Sequence, residues 1–235
     1  MSRMTTTTNG ETTMSSAGVG VAADLAADFE KRRAGRVDAG DLVAENLAAL
    51  DAAGVIAAAD GDGAHRRQVL RTVAGGCGAT AFALGAALAA GRAEAVLHHA
   101  AVQFGLAERA YAVAVERVRQ LGDVARQPGP QFAVARMRGS LDTMTALLDR
   151  QAGRAVGDDA AALAEACTAG LFVAGEAEAV VSAAYDLVDA DAAARIGQIW
   201  HDLKATPPPV PGALARELVG KAAFGIDPDE TPRWV

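Results

Sequence analysis

The sequence predicts an all-α protein, and both its composition and its periodicity indicate that fold class. Of the 235 residues, 51% are hydrophobic but only 4% are aromatic, and about a quarter are alanine, the best helix former. The clearest periodic stretch, residues 131–150, repeats apolar residues at alternating spacings of three and four, which is typical of a helix in a bundle. These residues are Val134, Met137, Leu141, Met144 and Leu148. No alternating apolar and polar run bounded by hairpin turns predicts a strand pair.

Glycine, proline and polar turns divide the rest of the chain into helices. Residues 1–20 are rich in Thr, Ser and Gly and are predicted to be a disordered leader. The first predicted helix covers about 21–33, the second runs through Leu42, Leu47 and Leu50, and the third carries Val69, Leu70 and Val73. The later ones cover about 79–90, 94–120, 131–150, 158–188, 192–204 and 211–224. The firmest predicted breaks are Gly75–Gly78, Gln127–Pro130 and Pro207–Pro209.

The charge and cysteine content argue against several classes of function. The formal net charge is −7, and without a stripe of Lys and Arg no nucleic-acid binding is predicted. Cys77 and Cys167 are far apart and form neither a disulfide framework nor a metal motif, so a cytoplasmic location is predicted. The longest apolar run, Ala79 to Ala90, is too short to span a bilayer, and no membrane association is predicted.

Four stretches of the sequence follow an order that is known from one enzyme superfamily. They are residues 69–82 (VLRTVAGGCGATAF), 101–110 (AVQFGLAERA), 198–203 (QIWHDL) and the tail 220–229 (GKAAFGIDPD) with 232–234 (PRW). In this order they resemble the acyl-CoA dehydrogenase superfamily. The first is similar to a glycine turn in its N-terminal helical domain, and the second to the start of its C-terminal four-helix bundle. The third is similar to an Arg-x-x-Arg-Asp element late in that bundle, and the tail to its chain end.

The resemblance implies that one domain is missing from this chain. In the superfamily a β-domain, which supplies much of the flavin site, separates the two helical domains. Here the interval from Leu88 to Ala101 has room for only about three helical turns. The implied architecture is a merged all-α body, with an N-terminal helical region (21–97), a C-terminal helical bundle and tail (98–235) and no β-domain. FAD is then expected only where a partner completes the site, and not on the isolated chain.

Three residues near the end of the bundle are the candidate catalytic residues: His201, Asp202 and Tyr185. Only Asp202 matches the Arg-x-x-Arg-Asp element, because Gln198 and His201 stand at its arginine positions. A histidine in a cleft can act as a general base near neutral pH. His201 and Asp202 are adjacent on a helix and do not face each other, so a helix-surface pair is the alternative. Tyr185 is either part of a polar pocket or a residue at a solvated helix end.

Two further pairs of titratable residues have competing interpretations. Glu176 and Glu178 lie on an alanine-rich helix. In one interpretation, one of them is a general base of the kind that the resemblance implies. In the other, both are charges on a solvated helix face. His98 and His99 are adjacent and cannot bind one metal from one helix face, so they are predicted to lie on a solvated helix. The turn Gly75–Gly78 follows a helix rather than a strand, and it is predicted to connect helices rather than to hold a phosphate.

Three functions follow as alternatives. The preferred one is a flavin-free protein that binds or transforms an acyl thioester, by isomerisation, cyclisation or elimination, in a pocket among the bundle helices. The second is a non-catalytic subunit that forms a homo-oligomer, a dimer or tetramer, or pairs with a full-length homologue. Such pairing would cover the apolar surface that the missing β-domain leaves exposed. The third is an FAD-dependent acyl-CoA dehydrogenase component in a mixed complex.

Overall fold

The computed structural model describes residues 9–33, 39–59, 62–152, 159–228 and 230. Within these ranges the chain forms ten α-helices, one 3₁₀ helix and no strand, which confirms the all-α prediction. In chain order the α-helices are α1 (Asn9–Arg33), α2 (Ala39–Ala52), α3 (Val55–Ala59), α4 (Gly63–Ala74), α5 (Gly78–Leu88), α6 (Arg92–Gln120), α7 (Pro128–Ala152), α8 (Ala160–Asp186), α9 (Ala190–Ala205) and α10 (Gly212–Phe224). The 3₁₀ helix, Gly122–Arg126, lies between α6 and α7.

The largest difference from the predicted elements lies at the N-terminus. α1 already begins at Asn9, whereas the sequence predicted a disordered leader up to residue 20. Ala22, Ala26 and Phe29 bury the C-terminal half of α1, and a helix that is anchored in this way extends without a new nucleation step. Residues 1–8 of the predicted leader lie outside the described residues.

α7 buries the apolar stripe that its periodicity predicted. Met137, Leu141, Met144 and Leu148 are buried, and Val134 is half-buried. The helix begins at Pro128, three residues earlier than predicted. Proline is tolerated in the first turn of a helix, because the N–H group that it lacks has no intrahelical partner there.

α6 and α8 form the centre of the fold. α6 packs on α4, α5, α7, α8 and α9, and every residue from Val96 to Ala107 is buried. α8 lies against it through small residues: a Cβ atom added to Gly170 would come within 2.8 Å of the Cγ1 atom of Val96. A larger residue there would push the two helices apart, since protein cores are close-packed. This contact helps to bury α6 on all sides.

The glycine turn between α4 and α5 permits two close contacts. A Cβ atom at Gly76 would lie 2.0 Å from the carbonyl oxygen of Ala26, so the backbone of α1 crosses directly against the turn. A Cβ atom at Gly78 would lie 2.8 Å from a carboxylate oxygen of Asp202 on α9. The turn connects two helices, as predicted, and its glycines let α1 and α9 approach it.

One large hydrophobic cluster joins distant parts of the chain. It includes Phe29 of α1, Phe104 of α6 and Leu203 of α9. A smaller cluster joins the start of α6 to α8 and α10. The predicted boundary between regions 21–97 and 98–235 falls inside α6, which runs without interruption from Arg92 to Gln120.

α8 is the one described helix that is long and apolar enough to cross a membrane, judged by length and composition. Core helices of globular proteins meet the same criteria. Val173, Ala177 and Val180 of α8 belong to the main hydrophobic cluster, so the apolar character of α8 is explained by its place in the core.

Candidate functional site

The three predicted catalytic residues lie in different parts of the structure. His201 is exposed on α9, and Tyr185 is exposed at the end of α8. Asp202 is buried, with only 4% of its surface exposed. Tyr185 lines a shallow depression of about 230 Å³ together with Trp200, whereas Asp202 borders a separate cleft. The fold therefore does not bring the three side chains together.

Asp202 is held by two tertiary interactions. Its two carboxylate oxygens accept hydrogen bonds from the guanidinium of Arg33, and Oδ2 also accepts one from the backbone N–H of Gly78 at 3.1 Å. Gly78 is the first residue of α5, and the N-cap residue Cys77 supplies no side-chain hydrogen bond. Asp202 thus caps α5 from another helix, at the end where a negative charge is favoured. Its oxygens are engaged in structural contacts.

A cleft of about 490 Å³ lies beside Asp202, between α1, α6 and α9. Its charged lining residues, which define the arginine cleft, are Glu30, Arg33, Arg109, Arg195 and Asp202. Glu30 accepts hydrogen bonds from Arg109 at 2.5 Å and from Arg195 at 2.6 Å. Burial alone would raise the pKa of Glu30, but the hydrogen bonds from Arg109 and Arg195 and the attraction of their charges together outweigh burial and lower it. Every charged side chain of the arginine cleft is therefore paired with another one.

A second cavity, the His99 pocket, has a volume of about 480 Å³. It lies between α6, α8, α10 and the proline segment after α9, and its volume is in the range of roughly 300–1,000 Å³ that is typical of small-molecule sites. Its apolar walls are formed by Val96, Leu171, Ala174, Leu203, Val210 and Ala215. The lining thus combines residues from helices that are far apart in the sequence.

Two buried polar side chains, His99 and Gln103, line this pocket from α6. They are four residues apart and therefore lie on one face of the helix, and 9% and 7% of their surfaces are exposed. Nε2 of His99 is a buried atom without a hydrogen-bond partner among the described residues. Buried polar groups normally have partners, so this nitrogen, with a second polar side chain beside it at a cavity, indicates a candidate binding site.

The imidazole of His99 is neutral at neutral pH. It lies against the ring of Phe82, with the ring centroids 4.6 Å apart, and burial lowers its pKa to about 4. In a neutral imidazole one nitrogen donates a hydrogen bond and the other accepts one. His99 can therefore bind a neutral ligand group without bringing a charge into the pocket.

The charged residues of the His99 pocket lie at its solvent-exposed rim. Lys204 and Glu178 form an ion pair at 2.5 Å, and both side chains are nearly half exposed. Arg216 of α10 is exposed on the same rim. Another wall consists of Pro207–Pro209, which lack backbone N–H groups and have restricted backbones. The pocket combines apolar walls, neutral polar groups inside and charges at its mouth.

The prediction that His98 and His99 lie on a solvated helix was wrong. His98 is 1% exposed and His99 is also buried, because α5 and α8 pack on α6 at this level. His98 contacts α5 rather than the pocket: its Nδ1 atom lies 2.9 Å from the carbonyl oxygen of Gly85, and burial is the main cause of its lowered pKa.

Sequence reasoning missed His99 and Gln103 as site residues. Their i,i+4 spacing within an apolar helical run was the available signal.

The remaining titratable candidates are already paired or uncharged. Glu176, which is half-buried, accepts a hydrogen bond from the hydroxyl of Ser140 at 2.6 Å, and Glu178 pairs with Lys204. Cys167 lines the His99 pocket, and burial raises the pKa of its thiol, which disfavours the nucleophilic thiolate. In the part of the chain that the structure describes, no group of three or more His, Cys, Asp or Glu residues is arranged to hold a metal ion.

Comparisons with known proteins assign no relative to this chain. The sequence matches no protein-family model and no curated protein, and the structure matches no solved structure. The resemblance to acyl-CoA dehydrogenases therefore rests on the four sequence stretches alone.

Proposed function

We propose that this chain is a flavin-independent helical protein that binds an acyl thioester in the His99 pocket. The observation that carries the proposal is the pair of buried side chains, His99 and Gln103, in a pocket with largely apolar walls. An acyl thioester has an apolar chain, which suits those walls. It also has a carbonyl oxygen, which can accept a hydrogen bond from the Gln103 amide or from the neutral His99 ring.

The charges at the rim suit the other end of such a ligand. Thioester carriers such as coenzyme A contain phosphate groups, and ammonium and guanidinium groups bind phosphate through charge-assisted hydrogen bonds. Lys204 and Arg216 supply both kinds of cation at the mouth of the pocket. The proposed orientation therefore places the acyl chain inside and the phosphates at the rim.

The chemistry that we propose for the pocket needs no redox cofactor. Isomerisation, cyclisation and elimination of an acyl thioester each require that a proton be accepted and returned. His99 is the buried group that can do so, because its ring is neutral at neutral pH. Its low pKa makes it a weak base, however, so binding and orienting the thioester is the part of the function that the site favours most.

The test is titration calorimetry of the purified chain with octanoyl-CoA and with free octanoate. We expect octanoyl-CoA to bind more tightly, because only it can use the rim. Gln103→Leu and His99→Leu should each weaken octanoyl-CoA binding by about tenfold or more, since a hydrogen bond to a buried group is lost. Gln198→Leu and His201→Leu are the same changes at exposed positions of α9 and should leave the affinity unchanged. The proposal fails if octanoyl-CoA does not bind, or if the pocket variants bind it like the wild type.

A separate measurement tests whether the isolated chain binds FAD. We expect no visible flavin absorbance to stay with the chain after incubation with excess FAD and gel filtration. A retained flavin band would instead favour an FAD-dependent acyl-CoA dehydrogenase component, whose site a partner completes.

A subunit role is the second candidate, and exposed aromatic residues favour it. Phe172 and Tyr185 on α8 and Trp200 on α9 are all more than one-third exposed, and exposed apolar patches often mark interaction surfaces. Gel filtration with light scattering distinguishes this candidate. A homodimer or tetramer that Trp200→Lys dissociates would support it, whereas a monomer that binds octanoyl-CoA would favour the first proposal.

A further inference from the structure

A third cavity, of about 200 Å³, lies between the first turns of α4 and the C-terminal part of α7. We call it the Arg67 cavity, and its charged lining residues are Asp62, Arg67, Arg71 and Asp149. It shares no lining residue with the His99 pocket. An inference about it therefore does not depend on the proposed acyl-thioester function.

Arg67 differs from the arginines beside it, because its charge is buried without a partner. Only 5% of its surface is exposed. Its Nη1 atom is buried and unbonded, and no hydrogen bond or ion pair joins its guanidinium to another described residue. By contrast, Arg71 pairs with Glu108 at 2.9 Å, and Arg66 pairs with Glu94 at 2.5 Å.

A buried guanidinium in this state is energetically unfavourable. Burial lowers the pKa of Arg67, but a guanidinium stays protonated in proteins and cannot escape its charge by losing a proton. Buried charges are normally paired. Asp62, Glu94 and Asp149 attract Arg67 only through space, without a hydrogen bond. An anionic group in the adjoining cavity would supply the missing partner.

Gly63, the first residue of α4, lies beside the guanidinium of Arg67. A Cβ atom added there would lie 3.4 Å from Nη1 and 3.7 Å from Nη2, so Arg67 is close to the N-terminus of α4. The N-terminus of α4 also presents backbone N–H groups and the positive end of the helix dipole, which favour a carboxylate. The helix end and Arg67 thus favour the same kind of ligand group.

The two carboxylates that line the cavity restrict the ligand further. Asp62 and Asp149 are exposed, and Asp62 caps α4 by accepting a hydrogen bond from the N–H of Ala64 at 3.0 Å. Their charges repel a multiply charged anion such as phosphate and attract an ammonium group. The small volume of the cavity admits only a small molecule.

We propose that the Arg67 cavity binds a small zwitterionic amino acid, with its carboxylate on Arg67 and its ammonium group facing Asp62 and Asp149. The carboxylate gives the buried guanidinium its partner, and the ammonium group balances the two aspartates. Neither a plain anion nor a plain amine satisfies both sides of the cavity.

The test is a thermal-shift titration of the full chain with L-alanine, propionate and ethylamine, which separate the two charges of the ligand. L-Alanine is expected to raise Tm with increasing concentration, because it binds the folded state. Propionate should raise Tm less, and ethylamine least. The absence of a shift with L-alanine overturns the proposal. An equal shift with propionate overturns the role of the two aspartates.

Two variants change the two sides of the cavity. Arg67→Met keeps the apolar stem and removes the charge that holds the carboxylate, whereas Asp149→Asn keeps Arg67 and removes a carboxylate that faces the ammonium group. Both should weaken L-alanine binding, Arg67→Met by about tenfold or more. Without ligand, Arg67→Met should raise Tm, because it removes an unpaired buried charge; a purely structural arginine would give the opposite result.

Arg136→Met is the control, since it makes the same change at an exposed position of α7. It should alter neither the Tm nor the response to L-alanine. Unchanged L-alanine affinity in Arg67→Met, or a lower Tm of that variant without ligand, overturns the proposal.

Discussion

The arginine cleft and the His99 pocket have almost the same volume, about 490 and 480 Å³, but they use their polar groups in opposite ways. In the cleft, Glu30 and Asp202 pair with the three arginines that line it. In the pocket, His99 and Gln103 are neutral and buried, and Nε2 of His99 has no hydrogen-bond partner among the described residues. The difference teaches that the charges of the arginine cleft hold α1, α6 and α9 together, whereas the His99 pocket keeps an unpaired buried nitrogen that a ligand can bond.

The largest expected effect tests the structural role of the cleft. Asp202→Asn removes the charge that pairs with Arg33, while its amide oxygen can still cap α5. Breaking a buried ion pair by neutralising one partner is strongly destabilising, so we expect the free energy of unfolding to fall by about 3 kcal/mol. Denaturant titration measures it, and Asp186→Asn, at an exposed position, is the control.

The same variant also tests whether the arginine cleft, unlike the His99 pocket, has only a structural role. Under conditions where Asp202→Asn stays folded, its affinity for octanoyl-CoA should equal that of the wild type. A variant that keeps its stability but loses octanoyl-CoA binding would mean that Asp202 belongs to a ligand site.

A smaller effect is expected at the glycine turn that forms the floor of the cleft. Gly76→Ala places a methyl group against the carbonyl of Ala26, and overpacking of this kind costs about 2 kcal/mol. Gly139→Ala on α7, where nothing lies within 4 Å of the added atom, is the matched control and should be neutral or slightly stabilising. Equal stabilities of the two variants would show that α1 does not pack on the turn.

A pH-dependent effect tests the burial of His99 in the pocket. The pKa of His99 is about 4 in the folded chain, below its ordinary value of 6.5, so protons bind more tightly to the unfolded state. The stabilising contribution of the neutral ring is present above pH 6.5. It is lost as the pH falls from about 6.5 to about 4, by about 3 kcal/mol.

The measurement is the difference in unfolding free energy between the wild type and His99→Gln from pH 7 to pH 4. His98, whose pKa is also lowered, is present in both proteins and cancels to first order. A difference that does not change with pH would mean that the His99 ring is solvated, and the pocket would lose its central residue.

A helix or turn of the fold was predictable where a short stretch of sequence is sufficient to specify it. The three-and-four spacing of Met137, Leu141 and Met144 predicted α7 and its buried face, because helix geometry alone places these residues together. The turn at Gly75–Gly78 was predictable for the same reason. The start of α1 was not, because its extension depends on an anchor elsewhere in the fold.

The candidate site was largely not predictable. Asp202 was a candidate because carboxylates perform catalysis, and the sequence does not show that Arg33, far away along the chain, takes up its charge. His99 was assigned to a solvated face because its neighbours in the sequence do not reveal that α8 and α10 enclose it. The acyl-CoA dehydrogenase organisation stays a prediction that rests on the four stretches.

The sequence by itself determined that this chain is helical, where most of its helices lie and which face of α7 is buried, because propensity and periodicity act over a few residues. Only the tertiary structure decided which polar residues are paired and which are not. Pairing depends on contacts between distant segments, such as Arg33 with Asp202 or α6 with α10 across the His99 pocket. The free energy of a buried polar group is set by those contacts, and a residue's own position in the sequence does not contain them.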